Sequence, residues 1–458
     1  VRITDHRFIA FYALALCFAP LLPCCASASE EVERASANGA PQHINLTASL
    51  RLAGVNNLDI KIVEQRLIEA RANHLIALEK FVPSLSGGPG FAQHDGNIQE
   101  VHGPIVDVDK QQTRVGGGFL SEIQIGEAIY NSLATHQLVK AAKHATDAQW
   151  QDTIYQAAIA FFDLAAAKAA VDVADESLHI ASGYSNQVER AANSGISFKG
   201  DMYQAVTQEQ KFQLILEQAR AHQRIAAAWL AQILNLDPAI ELVPDQTNLT
   251  PISFFDEKET LGSLVGKALA FRPELLKANA QVQAARTTKS GAVYGPAIPT
   301  LGMATFWGGL GGGVGNAGAN NFNNSTDYFV GISWKIGPGG LFDKGRIDKA
   351  SAQVKESELE NKKYRNEVIR QVVDAHTRML SLSSQISTAQ KALIAANKFL
   401  VVTCERKEFG VAEVMEAIDA ERTITQIRLD YVNILAEYNK SQFELCRAVG
   451  SYFDVNRK

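Results

Sequence analysis

Short stretches of strict alternation lie between very long runs of helical composition. In 328–336, Tyr328, Val330, Ile332, Trp334 and Ile336 share one face and Gly331, Ser333 and Lys335 the other, with Phe329 the exception. In 115–125, Val115, Phe119, Ile123 and Ile125 alternate against Gly116, Gly118, Glu122 and Gln124; in 300–307, Leu301, Met303 and Trp307 fall on one side. A weaker strand is expected near 84–92. Apolar-out, polar-in strands with interfacial aromatics are the pattern of a transmembrane barrel. Half-buried strands of a soluble sheet alternate in the same way. The links within the two pairs, 96–114 and 308–327, read as long polar loops.

Proline placement marks the helices. None occurs in 105–237 or in 339–458. A proline inside a helix costs ~3 kcal/mol, so these windows are where long helices can run. Both are rich in Ala, Gln, Glu, Lys and Leu, and each holds one mild break, NSGIS (193–197) and EFGVA (408–412). The expectation is two helical hairpins, about 128–193 returning over 198–236 and about 345–409 returning over 412–451. A helix of ~65 residues is ~100 Å long, and helices of that length are coiled coils, repeats or membrane-associated rods.

The chain also repeats itself. A shift of 215 residues sets AGVNNLDIKIVEQRLIEAR (53–71) on ALAFRPELLKANAQVQAAR (268–286), with Ala53 on Ala268 and Asp59 on Glu274. The same shift pairs Gln156 with Gln371, Ala160 with Ala375, Gly195 with Gly410 and Leu214 with Leu429. Each half thus carries a helix, two strands and a helical hairpin. Four strands cannot close a barrel, and an open edge in lipid leaves backbone groups unpaired. If these strands span a membrane, several copies of the chain share one barrel.

Arg2 and Arg7 precede the apolar run FIAFYALALCFAPLL (8–22), followed by Ala26-Ser27-Ala28. This reads as a secretory signal peptide over 1–28, with lipidation at Cys24 or Cys25 an alternative that Pro23 disfavours. Removing it leaves Cys404 and Cys446, on opposite arms of the second hairpin. They lie roughly 45 Å apart at helical rise, too far for a disulfide, and read as two packed thiols. A net charge of −5 offers no basic field for nucleic acid. Gly313, Gly315 and Gly318 fit G-x-G-x-x-G, but no helix-forming segment follows to receive a phosphate. No phosphate-binding loop, metal-ligand spacing or nucleophile motif appears, so neither a cofactor, a metal nor a catalytic residue is expected.

In order and spacing these segments resemble the TolC family of outer-membrane efflux proteins. INLTASLRLAGVNNLDI and SLVGKALAFRPEL resemble the family's repeat openings, PSLS and PTLG its strand starts, and GPGGLFDKGR its strand-to-helix junction. NSGIS and FGVAEVMEAIDAERT resemble its periplasmic tips. The resemblance covers roughly 44–452, divided as a first repeat (44–240), a linker or equatorial segment (241–268), a second repeat (269–452) and a tail (453–458).

The resemblance implies a mostly α protein with a transmembrane β part. Long hairpins form a periplasmic tunnel, and four strands per chain enter a shared twelve-stranded barrel of a homotrimer. The implied function is an exit duct of a tripartite efflux or type I secretion system in the outer membrane of a Gram-negative bacterium. Its partners are a periplasmic adaptor (membrane fusion protein), an inner-membrane pump of RND or ABC type, and outer-membrane lipid. An adaptor-type protein or a coiled-coil scaffold is the alternative. The resemblance makes Glu416 and Asp419, with Asp201 in the first repeat, a ring of carboxylates that narrows the pore. On spacing alone a solvated helix face bearing ordinary acids is the better reading. It makes Asn193, Gly195, Ile196 and Ser197, with Gly410, Val411 and Ala412, the adaptor-contacting tips; a glycine-terminated helix is the plainer reading. Where the family often carries an aromatic and an arginine that lock the tip, this chain has Lys407 and Ala412.

Overall fold

The computed structural model describes residues 41–99, 103–245, 249–256, 259–314, 321–408 and 414–451. The expected signal peptide, Cys24, Cys25 and the tail at 453–458 lie outside the described residues. The first half contains β1 (Gln42–Ile44), α1 (Leu46–Asn56), α2 (Leu58–Glu79), β2 (Ser84–Gln99), β3 (Ile105–Gln124), α3 (Ile125–Asn193), α4 (Lys199–Ile233) and β4 (Leu242–Pro244). The second contains α5 (Leu261–Phe271), α6 (Pro273–Tyr294), β5 (Thr300–Val314), β6 (Asn323–Ser333), α7 (Lys344–Glu408) and α8 (Val414–Val449).

The 215-residue shift reappears in the helix starts: Leu46 and Leu261, Leu58 and Pro273, Lys199 and Val414. Ala53 and Ala268, like Ala160 and Ala375, are fully buried. The breaks between short helices have local causes. Asn57 accepts from the amides of Asp59 and Ile60 to start α2, while its own Nδ2 donates to Ile233 O at 2.9 Å. At the equivalent break Pro273 opens α6, where its missing N–H costs nothing.

At 69 and 65 residues, α3 and α7 are each ~100 Å long. Their returning partners α4 and α8, of 35 and 36 residues, run along about half that length. Along α3, Ala157, Ala158, Ala160 and Ala165 alternate with Phe161, Phe162 and Leu164, all buried, so small residues let neighbouring helices approach the large ones. All but Ala165 join Leu50, Leu230, Leu234 and Phe443 in one core; Leu264, Val372, Met379, Tyr438 and Leu445 form its counterpart. β1 and β4 pair in parallel beside the first core, with Gln42 opposite Leu242. Three-residue strands carry no readable alternation, and the sequence did not predict them.

The remaining strands form one antiparallel sheet in the order β2-β3-β5-β6. Its strands run well beyond the sequence expectation. β2 and β3 remain paired from Ser84–Leu120 to Gln99–Ile105, so most of the expected loop 96–114 is strand. β5 likewise continues through Val314, shortening the second link. Conversely, β6 stops at Ser333, so Trp334 and Ile336 do not belong to the strand face assigned to them. Trp334 instead donates from Nε1 to Ala297 O at 3.2 Å.

Register shows what alternation alone cannot. Leu85 stands opposite Phe119, Ile123 opposite Leu301, Leu301 opposite Ile332, and Met303 opposite Val330, so the apolar residues form one continuous face. Leu85, Tyr328, Val330 and Ile332 are 62–75% exposed. The reverse face carries Ser86, Glu122, Gln124, Ser325, Asp327 and Ser333 among glycines. There the Arg114 guanidinium lies 3.7 Å over the Phe306 ring and 3.6 Å from Asp327. Glycine makes room for the rings: a Cβ at Gly308 would stand 2.8 Å from Phe306, and one at Gly331 would stand 3.1 Å from Phe329. That packing explains why Phe329 breaks the alternation.

Between sheet and α7 the backbone turns through Gly337 (φ +103°) and Gly339 (φ +78°). Asp343 accepts from Arg346 N at 3.1 Å and Gly339 N at 2.8 Å, capping α7 and fixing the turn together. Those two amides hold its carboxyl below the ordinary range. Among the described residues no helix is long and apolar enough to cross a membrane. The expectation of two packed thiols holds for Cys446, whose thiol burial pushes up to about 12, and fails for Cys404, which is exposed.

Candidate functional site

The first tip is built by α3 ending and α4 beginning within a few residues. Gly195 adopts φ +76°, donating to Ala192 O at 3.1 Å, and Ile196 N donates to Ala191 O at 2.9 Å. This pair of bonds satisfies the last carbonyls of α3 and reverses the chain. Asn193, Gly195 and Ile196 are exposed and Ser197 is half-buried, its hydroxyl donating to Asp201 Oδ2 at 3.4 Å. Asp201 lies in the first turn of α4, where the helix dipole favours a carboxylate. Ile196 and Phe198 are 82% and 75% exposed, an apolar pair at the turn.

In the second hairpin, Gly410, Val411 and Ala412 lie outside the described residues, as does the side chain of Lys407. Glu416 stands in the first turn of α8 and forms an ion pair with Arg406 of α7 at 3.3 Å. Asp419, one turn further, is exposed, whereas Ala417, Ile418 and Ala420 are buried. Glu416 and Asp419 therefore share the side of α8 turned away from its packed face. Arg406 was not anticipated from sequence; its only signal was a basic residue in the last turns of α7.

Just inside the tips, described residues of both hairpins lie side by side. Burial, then the charge of Asp201 and the thiol of Cys404, push the Tyr184 hydroxyl up to about 12, so α3, α4 and α7 meet there. Farther up, α3 and α8 are cross-linked by Ser177–Thr425 (2.9 Å) and Glu176–Arg428 (3.0 Å), and Lys440 reaches Asp163. For Glu421, burial raises the carboxyl's pKa, with Arg428 opposing and Glu176 adding to the rise. What the arrangement offers is charge placed at a narrow helical end, remote from a two-faced sheet at the other.

Comparison with known proteins agrees with this geometry. A family model described as outer membrane efflux protein matches residues 264–451. Protein CyaE of Bordetella pertussis is 26% identical over 326 residues, covering 69% of this chain. The match takes in 66% of that relative's length, slightly less than two thirds. The Campylobacter jejuni CmeC outer membrane channel superposes with a TM-score of 0.77 at 15% identity, covering 89% of this chain and 85% of that one. The open state of the Neisseria gonorrhoeae MtrE outer membrane channel gives 0.73 at 17% identity, covering 89% of each.

Proposed function

We propose that the chain, whose residues 264–451 match the outer membrane efflux protein model, is a TolC-like passive exit duct of a tripartite efflux or type I secretion system. One observation carries the reading: a sheet apolar on one face and polar on the other runs directly into two helices ~100 Å long, each with a shorter returning partner. The apolar face is a lipid surface, and the polar face lines water.

The sheet has two open edges, β2 and β6. In hydrocarbon an unpaired edge is prohibitively costly, so each edge pairs with the next copy. Four strands from each of three copies close a twelve-stranded barrel in the outer membrane. The helices then stand in the periplasm as a tunnel, with 44–240 and 269–452 as repeats and 241–268 at its equator. A periplasmic adaptor-type protein has a single hairpin and no such sheet, so the four strands favour the duct.

At the far end, the carboxylates Asp201, Glu416 and Asp419 are assigned to the constriction, where threefold repetition gives a cation-favouring field. The turns at Asn193–Ser197 and Gly410–Ala412 are assigned to adaptor contact. Exposed Ile196 and Phe198 support that assignment for the first turn. An inner-membrane pump supplies energy and cargo, and this chain supplies the route.

Fractionation with heat-modifiability tests the reading. Outer-membrane trimers that conduct in planar bilayers are expected; soluble periplasmic monomers overturn it. Glu416→Ala with Asp419→Ala is expected to weaken divalent-cation block, and unchanged block removes both from the constriction.

A further inference from the structure

Just above the tip, a cavity of about 370 Å³ opens between the two hairpins. Its walls come from all four helices: Ile180 and Tyr184 of α3, Phe212 of α4, Cys404 of α7, and Ile418 and Glu421 of α8. The volume falls in the range that accepts a small organic molecule. Apolar side chains make most of the lining, with Gln187 and Gln208 adding amides and His179 an imidazole.

Glu421 is the exception in this lining. It is half-buried and forms no ion pair among the described residues. Arg428, the opposite charge that acts on it, is engaged by Glu176 at 3.0 Å. A carboxylate facing an apolar cavity without its own counter-charge disfavours an anion there and gains from a cation. No Lys or Arg lines the cavity, and His179, the one basic side chain in its wall, forms no ion pair with Glu421, so a ligand can supply the missing charge.

We propose that this cavity is a binding site for a small hydrophobic amine, whose apolar body packs on Ile180, Phe212 and Ile418 and whose ammonium pairs with Glu421. The charge complementarity excludes organic anions and ranks a neutral isostere below the amine. Because both hairpins line the site, an occupant stabilises the hairpin arrangement in which the cavity exists. The site is distinct from the acidic constriction: Glu421 lies beyond Glu416 and Asp419 along α8, and the ligand binds in the wall.

Cys404 supplies a native reporter, since it lines the cavity and is exposed, whereas Cys446 is buried. The purified full-length oligomer is treated with N-ethylmaleimide, and the Cys404 peptide is quantified by mass spectrometry. N,N-dimethyl-4-phenylbutylamine is the probe and 4-phenylbutanol its uncharged counterpart. The amine at millimolar concentration is expected to slow Cys404 alkylation about tenfold, and Glu421→Gln to weaken its binding by about the same factor. The alcohol is expected to protect equally in both proteins. Equal protection by amine and alcohol in the wild type overturns the proposal. So does amine protection undiminished in Glu421→Gln, or none from either compound. The readout is thiol chemistry, so its failure leaves the conduction experiments standing.

Discussion

Arg447, in the last turn of α8, donates from Nε to the carboxylate of Asp152 on α3, tying the end of the second repeat to the long helix of the first. The same guanidinium stands 4.0 Å from Glu274, which Arg272 grips with two bonds of 3.1 and 2.8 Å. Arg272 also reaches Gln371 of α7, so one ionic cluster joins α3, α6, α7 and α8. Asp152→Ala leaves Arg447 without its main partner and is expected to cost about 1–3 kcal/mol, discounted for partial exposure. A thermal melt in detergent measures it. Adding Arg447→Met to Asp152→Ala, which removes the stranded charge, is expected to recover part of the loss.

The cluster also sets a pH dependence. Burial pushes the Glu274 carboxyl up, but the hydrogen bonds and charge of Arg272, with Arg447, hold it below the ordinary range. A lowered carboxylate contributes stability above its unfolded pKa, and that contribution is lost as pH falls through the folded one. Melting temperature is therefore expected to drop on the acid side, below about pH 4. Glu274→Gln, less stable at neutral pH, is expected to show a shallower drop.

At the second tip, Arg406 neutralises part of the Glu416 charge, whereas Asp419 is exposed. Asp419→Asn is therefore expected to weaken divalent-cation block in planar bilayers more than Glu416→Gln. Arg406→Ala is expected to strengthen block by releasing Glu416. Equal effects of the two acidic substitutions would show that the pair does not persist in the assembled pore.

The two faces of the sheet make opposite predictions for one substitution. Val330 lies on the apolar face opposite Met303, and Ser325 on the polar face opposite Gly308. Val330→Lys exposes a charge to lipid at a cost of about 2–4 kcal/mol near the midplane. It is expected to abolish heat-modifiable oligomer in outer-membrane fractions. Ser325→Lys is expected to assemble normally and alter only ion selectivity.

Gly195 occupies a left-handed conformation with open space where a Cβ would go. Gly195→Ala therefore costs about 1 kcal/mol from backbone strain alone. Faster amide exchange confined to 191–197 is expected, with the global melt nearly unchanged. A global loss of stability would mean that the turn supports packing beyond itself.

Much of the helical architecture was legible because proline is so restrictive: two windows without it contain α3–α4 and α7–α8, within a few residues of the expected ends. The strands were underestimated for a physical reason. Gly96, Asp107, Asp109 and Gln111 have weak intrinsic preference for strands, yet cross-strand bonding to a preformed neighbour extends the ladder through them. Trp334 and Ile336 kept the alternation but left the strand, because the turn at Gly337 and Gly339 begins there. Asp201 and Glu416 could be named as candidates only through the family resemblance, which fixes their distance from a tip glycine. Arg406 and the unpaired Glu421 could not, since both depend on which helices meet.

The paired ladder of β2 and β3 continues to Gln99–Ile105, whereas β5 ends its pairing with β3 at Lys110. The β2–β3 ladder thus runs roughly 15 Å past the last rung shared with β5, at ~3.4 Å per residue. Its flanks are polar, with Gln93 bonded across to Asp109. In the outer-membrane placement proposed above, this hairpin end faces outward, within reach of an antibody or bacteriophage. Immune or viral pressure can therefore reshape this hairpin end while sparing the bore beneath it.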